Sequence, residues 1–557
     1  MTLPYRLLVV CSFIVCAIAA PAQQLPALKP ILDAQIGNSV IEIPPGKYLL
    51  DNLTNGAYQF INKNNVTING NGSSIICNSQ ELAFRFYNCT NITISNFSID
   101  YDPLCFTQGT IVAKDSVSNL WYEVEIDQGY PVDNVRNSRV QFYDPATRQL
   151  KRNSITTSEG HYAAFEKIGP RRFKLTKSAA WVAYEKVGDL VVLDVVSAKP
   201  NPAAHAFQLE KCVNATVQDV SIYGSNSFSF FERDCSGTHY NRCKVGRGPT
   251  APGIPARLRS GNADGIHSSY ASIGPLVENC EIKHNGDDCI IVCGRSFPVC
   301  KIDSATNSIY VLSREANPIF YAGDTLQQVL YAGVKSGKMT VQSVVSYVPS
   351  AAEQQAIVAM YPDLLFKTSY TKGARIVVDS LPGMGIGDII YNENHIGKGF
   401  IIRNNKVGYN RSRGILIKSG NGIVQNNEIT GTAMNGLLVA PEIHWMGGGF
   451  GHHLEIKNNL FFECMFEKNN QGMPPGVLSV FCANGLAQVP AAGAFGQINV
   501  HDNTVQKSPY PAIVFTSVMG LQSSNNQVAP YPCNSREHGK KFGVTFTAPV
   551  WEKNNTQ

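Results

Sequence analysis

The chain has 557 residues, a formal net charge of +5 and only 16% Asp, Glu, Lys and Arg. A charge this small, with no concentrated basic stripe, excludes a nucleic-acid binder. The length exceeds what one compact core usually serves, but a solenoid lengthens by adding coils and need not split into domains.

At the N-terminus, Arg6 precedes the apolar run Leu7 to Ala20, and small residues follow (Ala17, Ala19, Ala20, Ala22). This predicts a secretory signal peptide over residues 1–22, cleaved between Ala19 and Gln23. The run is shorter than the ~20 apolar residues a membrane anchor needs. The expected protein is therefore secreted and extracellular, with no membrane association once the leader is gone. N-x-S/T sequons at Asn52, Asn65, Asn71, Asn88, Asn91, Asn96, Asn214, Asn410 and Asn554 are candidate glycan acceptors. Of 15 cysteines, Cys11 and Cys16 fall in the leader, and the remaining odd number implies a free thiol or an intermolecular bridge. No spacing suits zinc, so disulfides and buried thiols are the expectation.

Ser39 to Asp51 reads as a strand, a Pro-Pro-Gly turn and a second strand. A repeating phrase follows: NNVTINGNG, TNITISNFSI, VNATVQDVSI, GPLVENCEI, GFIIRNNKV, GIVQNNEIT, HHLEIKNNLF, GQINVHDNTV. Each alternates apolar and polar residues over about five positions and ends in an Asn or Asp turn. Such a pattern predicts a parallel β-helix, in which the turn amides recur at equivalent places and can hydrogen-bond from coil to coil. The helix is assigned to residues 23–106, 199–302 and 395–557. Between them, 107–198 and 303–394 lack the Asn turns and read as antiparallel, β-barrel-like insertions, each closing on a Gly-Asp before a strand (Gly188, Gly387).

Three aspartates gather between Gly261 and Arg295: Asp264 in NADG, then Asp287 and Asp288 in GDD. Asp264 and Asp287 lie 23 residues apart, about one coil of ~20–30 residues, and stacked coils sit about 4.8 Å apart. Taken singly, each Asp reads as a turn cap. Together they suit glycosidic cleavage, which uses one carboxylic acid to protonate the leaving oxygen and carboxylate to activate water or attack the sugar. Crowding of like charges raises the pKa of at least one member. Because strand neighbours face opposite ways, Asp287 and Asp288 can share a site only at a turn, which Gly286 permits. His267 is placed to orient a substrate hydroxyl or to satisfy a turn. Glu442, His444 and Trp445 lie on a later coil, and the Trp445 ring suits stacking on a sugar or filling a groove.

The pairing of NADG (Asn262 to Gly265) with GDD (Gly286 to Asp288) resembles the polygalacturonase clan of β-helix glycoside hydrolases. Closer is the resemblance to glycoside hydrolase family 110, the α-1,3-galactosidases, whose β-helix carries barrel-like insertions. Phrases similar to that family are Tyr101-Asp102-Pro103 with Thr107-Gln108-Gly109, and Trp445-x-Gly-Gly-Gly. The likeness runs from about residue 40 to 530, its specific part being the two Asp motifs. It implies an all-β fold, a right-handed parallel β-helix with two antiparallel β-barrel-like insertions. It further implies Asp287 as general acid, Asp264 with Asp288 as base, and no metal or cofactor. Arg413 to Lys418 (RGILIK) resembles a substrate-contacting phrase of the polygalacturonase clan, which makes Arg413 and Lys418 substrate-binding candidates. The Gly-His-Gly that follows GDD in polygalacturonases is missing, which counts against pectin.

The expected function is a secreted glycoside hydrolase, an inverting, exo-acting α-galactosidase on an oligosaccharide or polysaccharide. The alternatives are a pectin-type hydrolase, a lyase using calcium and a basic residue, or a non-catalytic glycan-binding β-helix.

Overall fold

A computed structural model describes residues 25–557 apart from 52–55, 153–156, 160–161, 179–184, 196–203, 468–472, 530–538 and 545–546. The leader reading over 1–22, the Asn52 sequon and Cys533 lie outside the described residues.

The chain is a right-handed parallel β-helix whose coils stack in three in-register ladders. The first passes through Leu276–Glu278, Ile401–Arg403, Gly422–Gln425 and His452–Lys457. The second passes through Glu281–Lys283, Lys406–Gly408, Glu428–Thr430 and Leu460–Phe462. The third passes through Phe84–Tyr87, Phe207–Glu210, Phe230–Arg233, Ile266–Ser269, Ile290–Asp303, Ile415–Ile417 and Leu437–Val439. Period-two alternation turns one residue of each pair inward, and like side chains then stack: Phe60 on Phe86 at 4.8 Å, Phe86 on Phe207 at 5.2 Å, Phe207 on Phe230 at 5.7 Å.

The Asn-Asn phrases make the corner between the first two ladders. The first member, Asn404, Asn426 or Asn458, adopts a left-handed backbone with φ between 54° and 57°, a conformation Asn tolerates better than most residues. The second member is buried and joins a continuous amide ladder, Asn405 to Asn427 to Asn459 to Asn503 to Asn526, with Nδ2–Oδ1 distances of 2.9–3.0 Å. Upstream the same corner holds thiols: the Cys280 N–H donates to Asn405 Oδ1 at 2.9 Å, and Cys280 in turn stacks beside Cys243. A second thiol column runs through Cys89, Cys212 and Cys235.

The disulfide expectation is therefore corrected. All 12 described cysteines are unbridged and buried; those stacked in the corners donate to backbone carbonyls instead, as Cys243 does to Val217 at 3.2 Å. Glycan attachment at Asn410 is also corrected, since its side chain is fully buried. The described sequons before residue 100 sit on exposed, left-handed Asn corners, and Asn65, Asn91 and Asn214 form a surface amide ladder.

Phe106–Lys114 to Leu190–Val195 form a seven-stranded antiparallel sheet over its own core of Tyr122, Val140, Phe173 and Val191. The second insertion is a closed ring of six antiparallel strands. Ile290–Asp303 pairs with Ser308–Ser313, then Lys372–Val378, Lys335–Tyr347, Thr325–Val329 and Ile389–Asn392, which returns to Ile290–Asp303. One strand thus belongs to the third ladder at its start and to the barrel at its end. Among the described residues no helix is long and apolar enough to cross a membrane.

Asn427→Ala should destabilise the helix by about 2–4 kcal/mol, because it orphans the Ile402 and Gln425 carbonyls and breaks contact with both ladder neighbours. Thermal melting reads the loss, and amide exchange should localise it to the adjoining coils.

Candidate active site

The third ladder's register builds the site. Ile266 pairs with Ile290, and Ile290 with Ile415, so Asp264, Asp288 and Arg413, each two residues before its strand, stack in one column. The true coil step is the 24 residues from Asp264 to Asp288, one more than the spacing to Asp287. The Asp288 N–H donates to Asp264 Oδ1 at 3.2 Å, and the Arg413 N–H to Asp288 Oδ1 at 2.9 Å. Both motif glycines are needed for close approach. A Cβ on Gly286 would stand 2.3 Å from the Asn262 carbonyl oxygen, and one on Gly265 would stand 2.5 Å from that of Cys289. Gly286 does sit in a bend, as the sequence reading asked, and its missing side chain is what lets two coils touch there.

Buried asparagines pin the turn. Asn285 Nδ2 donates to the carbonyls of Asp287 and Asp288 at 2.8 and 2.7 Å, and Asn410 Nδ2 to those of Asp287 and Arg413 at 2.7 and 2.8 Å. The first insertion pins NADG from the other side. Fully buried Arg259 bonds Asp194 and Asn262 Oδ1, both at 2.7 Å, and Arg139 Nη1 donates to the Asn262 carbonyl at 2.6 Å.

Oxygens of Asp264, Asp287 and Asp288 all lie within 4.8 Å of one another. Their surroundings differ. Asp264 and Asp288 have side chains 7% and 5% exposed, Asp287 25%. Burial pushes the Asp264 carboxyl well above the usual range, helped by the charge of Asp287 and opposed by the Asp288 N–H, Arg413 and Arg139. Burial likewise raises Asp288, to about 6, against Arg413. Burial would raise Asp287 too, but Arg411, Arg139 and Arg413 outweigh it and hold the carboxyl low. Arg411 does this at close range, Nη2 to Asp287 Oδ2 at 2.5 Å and Nε to the Gly286 carbonyl at 2.5 Å. In this arrangement, then, protons favour Asp264 and Asp288, which runs against Asp287 as the resting proton carrier.

His267 lies on a strand rather than in a turn. Its Nδ1 is 2.6 Å from Asp264 Oδ2, its Nε2 3.6 Å from Cys293 Sγ, and its ring stacks on Phe228 at 4.2 Å. Arg413 bridges Asp288, at 3.3 Å, and Glu442. Lys418 Nζ meets the other Glu442 oxygen at 2.5 Å. Glu442 is buried, and although burial raises its carboxyl, Arg413, Lys418 and His444 hold it down to about 2. Trp445 stands instead in the wall of a cavity of about 300 Å³ beside Arg295, Arg314 and Tyr370. Sequence reading missed Arg411 and Arg139 as members of the site and named Glu442 without giving it a role. Arg411 stood in view one residue from Ser412-Arg413, whereas Arg139 carries no local signal because the insertion delivers it from 123 residues away.

The fold and this carboxylate cluster place the chain among the parallel β-helix proteins. No family model matches it. Among curated proteins it is similar to α-1,3-galactosidases, which are glycoside hydrolases. It is 23% identical over 479 residues to α-1,3-galactosidase B of Akkermansia muciniphila, covering 79% of this chain and 56% of that one. It is 22% identical over 519 residues to α-1,3-galactosidase B of Bacteroides thetaiotaomicron, covering 87% and 77%. The chain thus spans little more than half the length of the first of these relatives. Similar solved structures include a mannuronan C-5 epimerase A-module of Azotobacter vinelandii (TM-score 0.37, 10% identity, 95% and 93% covered) and a family 28 exopolygalacturonase of Yersinia enterocolitica (TM-score 0.35, 10%, 93% and 71%).

Arg411→Met should raise the pH at which Asp287 ionises, since it removes the nearest charge favouring the carboxylate. A carboxyl carbon-13 titration, differenced against Arg411→Met/Asp287→Asn, reads the shift. A titration unchanged from the parent chain would show that Arg411 does not set it.

Proposed function

We propose that this chain is a secreted, inverting, exo-acting α-galactosidase in which Asp264, Asp287 and Asp288 carry the chemistry. The observation behind this reading is the convergence of the three carboxylates within 4.8 Å in one groove. The similarity to α-1,3-galactosidases over most of the chain supports galactose as the sugar released. Geometry supports Asp287 as the acid, because it is the carboxyl most open to the groove and a leaving oxygen can reach it. Asp264 and Asp288, stacked beneath it, are the pair that holds and deprotonates water. Asp264 and Asp288 are both raised, and the proton such a cluster holds belongs to the three groups jointly. A substrate hydroxyl that draws Arg411 off Asp287 lets that proton move there.

A second reading has its own observation. With Arg411 in place Asp287 is ionised, which favours Asp287 as base and Asp288 or Asp264 as acid. The close spacing also matters, since inverting sites with a single base usually hold their carboxyls about 6.5–9.5 Å apart and retaining sites about 5–5.5 Å. Inversion here rests on a carboxylate pair binding the water. A calcium-dependent lyase is disfavoured because Arg411 and Arg413 already neutralise two of the three carboxylates a cation would need.

Proton NMR should show the β-anomer of galactose released first from an α-galactoside; α-galactose first would sink the inverting assignment. Asp287→Asn should lose about 10²- to 10⁴-fold on natural galactosides, which need a protonated leaving group, and far less on an aryl galactoside with a low-pKa phenol. Asp264→Asn and Asp288→Asn should lose heavily on both. If the sparing of the aryl substrate appears in Asp264→Asn or Asp288→Asn instead, that residue is the acid.

A further inference from the structure

The cavity beside Trp445 holds polar groups that the proposed reaction does not use. It opens where the second insertion meets the helix, with Arg295, Ser313, Arg314, Glu315, Tyr370 and Trp445 in its wall. Its volume of about 300 Å³ is roughly ten times the share of one water in the liquid and falls at the lower end of small-molecule sites.

Three polar atoms of this wall are buried without a well-formed hydrogen bond, Arg295 Nε, Arg314 Nη1 and the Tyr370 hydroxyl, and the Arg314 guanidinium stands near enough to Tyr370 to act on its hydroxyl. Native interiors leave few such groups, and three in the wall of one void call for an explanation. Arg295 Nε faces Glu315 at 3.6 Å, within ion-pair reach but too long for a hydrogen bond. Glu315 is engaged elsewhere, accepting from Arg233 at 3.0 Å and from the Tyr270 hydroxyl at 3.1 Å. Arg233 and Arg295 thus share Glu315, the one carboxylate of the wall, and Arg314 adds a further guanidinium, leaving an excess of positive charge. Arg314 is held in place by Phe366, whose ring centre lies 4.5 Å from its guanidinium, and Phe366 also packs against Trp445 at 5.4 Å. The rest of the lining is Ser296, Phe297, Leu312, Ser369 and Met446.

We propose that this cavity binds an acidic sugar, its carboxylate or sulfate ester held by Arg295, Arg314 and the Tyr370 hydroxyl, its ring against Trp445. Paired guanidiniums can each bond two oxygens of a carboxylate or a sulfate ester, and an indole face suits a pyranose. The strand Ile290–Asp303 begins beside Asp288 and carries Arg295, so the cavity lies further along the same surface. The sugar it holds is therefore not the one cleaved but another residue of an acidic glycan. The inference does not depend on the catalytic reading, because binding is measured without turnover.

Titration calorimetry of the whole chain with galacturonate, galactose 6-sulfate, galactose and inorganic sulfate tests it. The acidic sugars should bind more tightly than galactose, with an affinity that falls as salt is added. Arg314→Met should weaken both by at least 10-fold and leave galactose unchanged. Tyr370→Phe, which removes only that hydroxyl, should weaken them by about 5-fold and carries the test alone if Arg314→Met melts early. Undiminished binding of the acidic sugars to Tyr370→Phe and to a folded Arg314→Met would overturn the proposal. So would an equal loss for galactose, or inorganic sulfate binding as tightly as galactose 6-sulfate.

Discussion

Register between coils is the constraint on which everything else depends. Parallel strands pair residue for residue, so a side chain's height on the helix is fixed by its count from the coil before. Ile266, Ile290 and Ile415 share a height, and for that reason alone Asp264, Asp288 and Arg413 meet. The buried amide and thiol corners hold the same count. A slip of one residue would move Asp264 from Asp288 to Asp287 and turn half the interior outward.

The local chemistry was legible wherever it repeats or clusters. Asn-Asn pairs announced the corner because one member needs a left-handed backbone and the other a buried amide, and both requirements recur in the coils from Asn405 onward. NADG and GDD announced the site through spacing. What sequence could not deliver is contact that depends on the insertions. Arg413 lies 125 residues from Asp288 with a barrel between them, and Arg139 reaches Asn262 from a sheet with no repeat to count. Burial at Asn410 was equally invisible, since its sequon looks like those on the exposed corners, whereas its amide in the turn before the third ladder is turned inward to the Asp287 and Arg413 carbonyls. The thiols were misread for a related reason: cysteines stacked coil on coil sit close in space, as bridged cysteines do, but inside a corner each has a backbone carbonyl to meet instead.

The electrostatics of the site follow from its position at a coil edge. Three carboxylates at one height would repel, and the structure answers with guanidiniums from three directions: Arg413 from the next coil, Arg411 from the same turn, Arg139 from the insertion. Glu442 then restrains Arg413 and Lys418, so positive charge is aimed rather than merely present. The outcome is unequal acidity among chemically identical residues, the condition for dividing acid and base work between them.

The strand Ile290–Asp303 passes from the helix wall into the second barrel without a break. Domain closure needs a few residues free to absorb a change in backbone angle, and at this entry there are none, because Arg295 still pairs with Gly447 where the ladder gives way to the barrel. The barrel is accordingly a fixed buttress. A face that cannot swing is given its shape by folding, and whatever approaches it meets a rigid rim rather than a clamp.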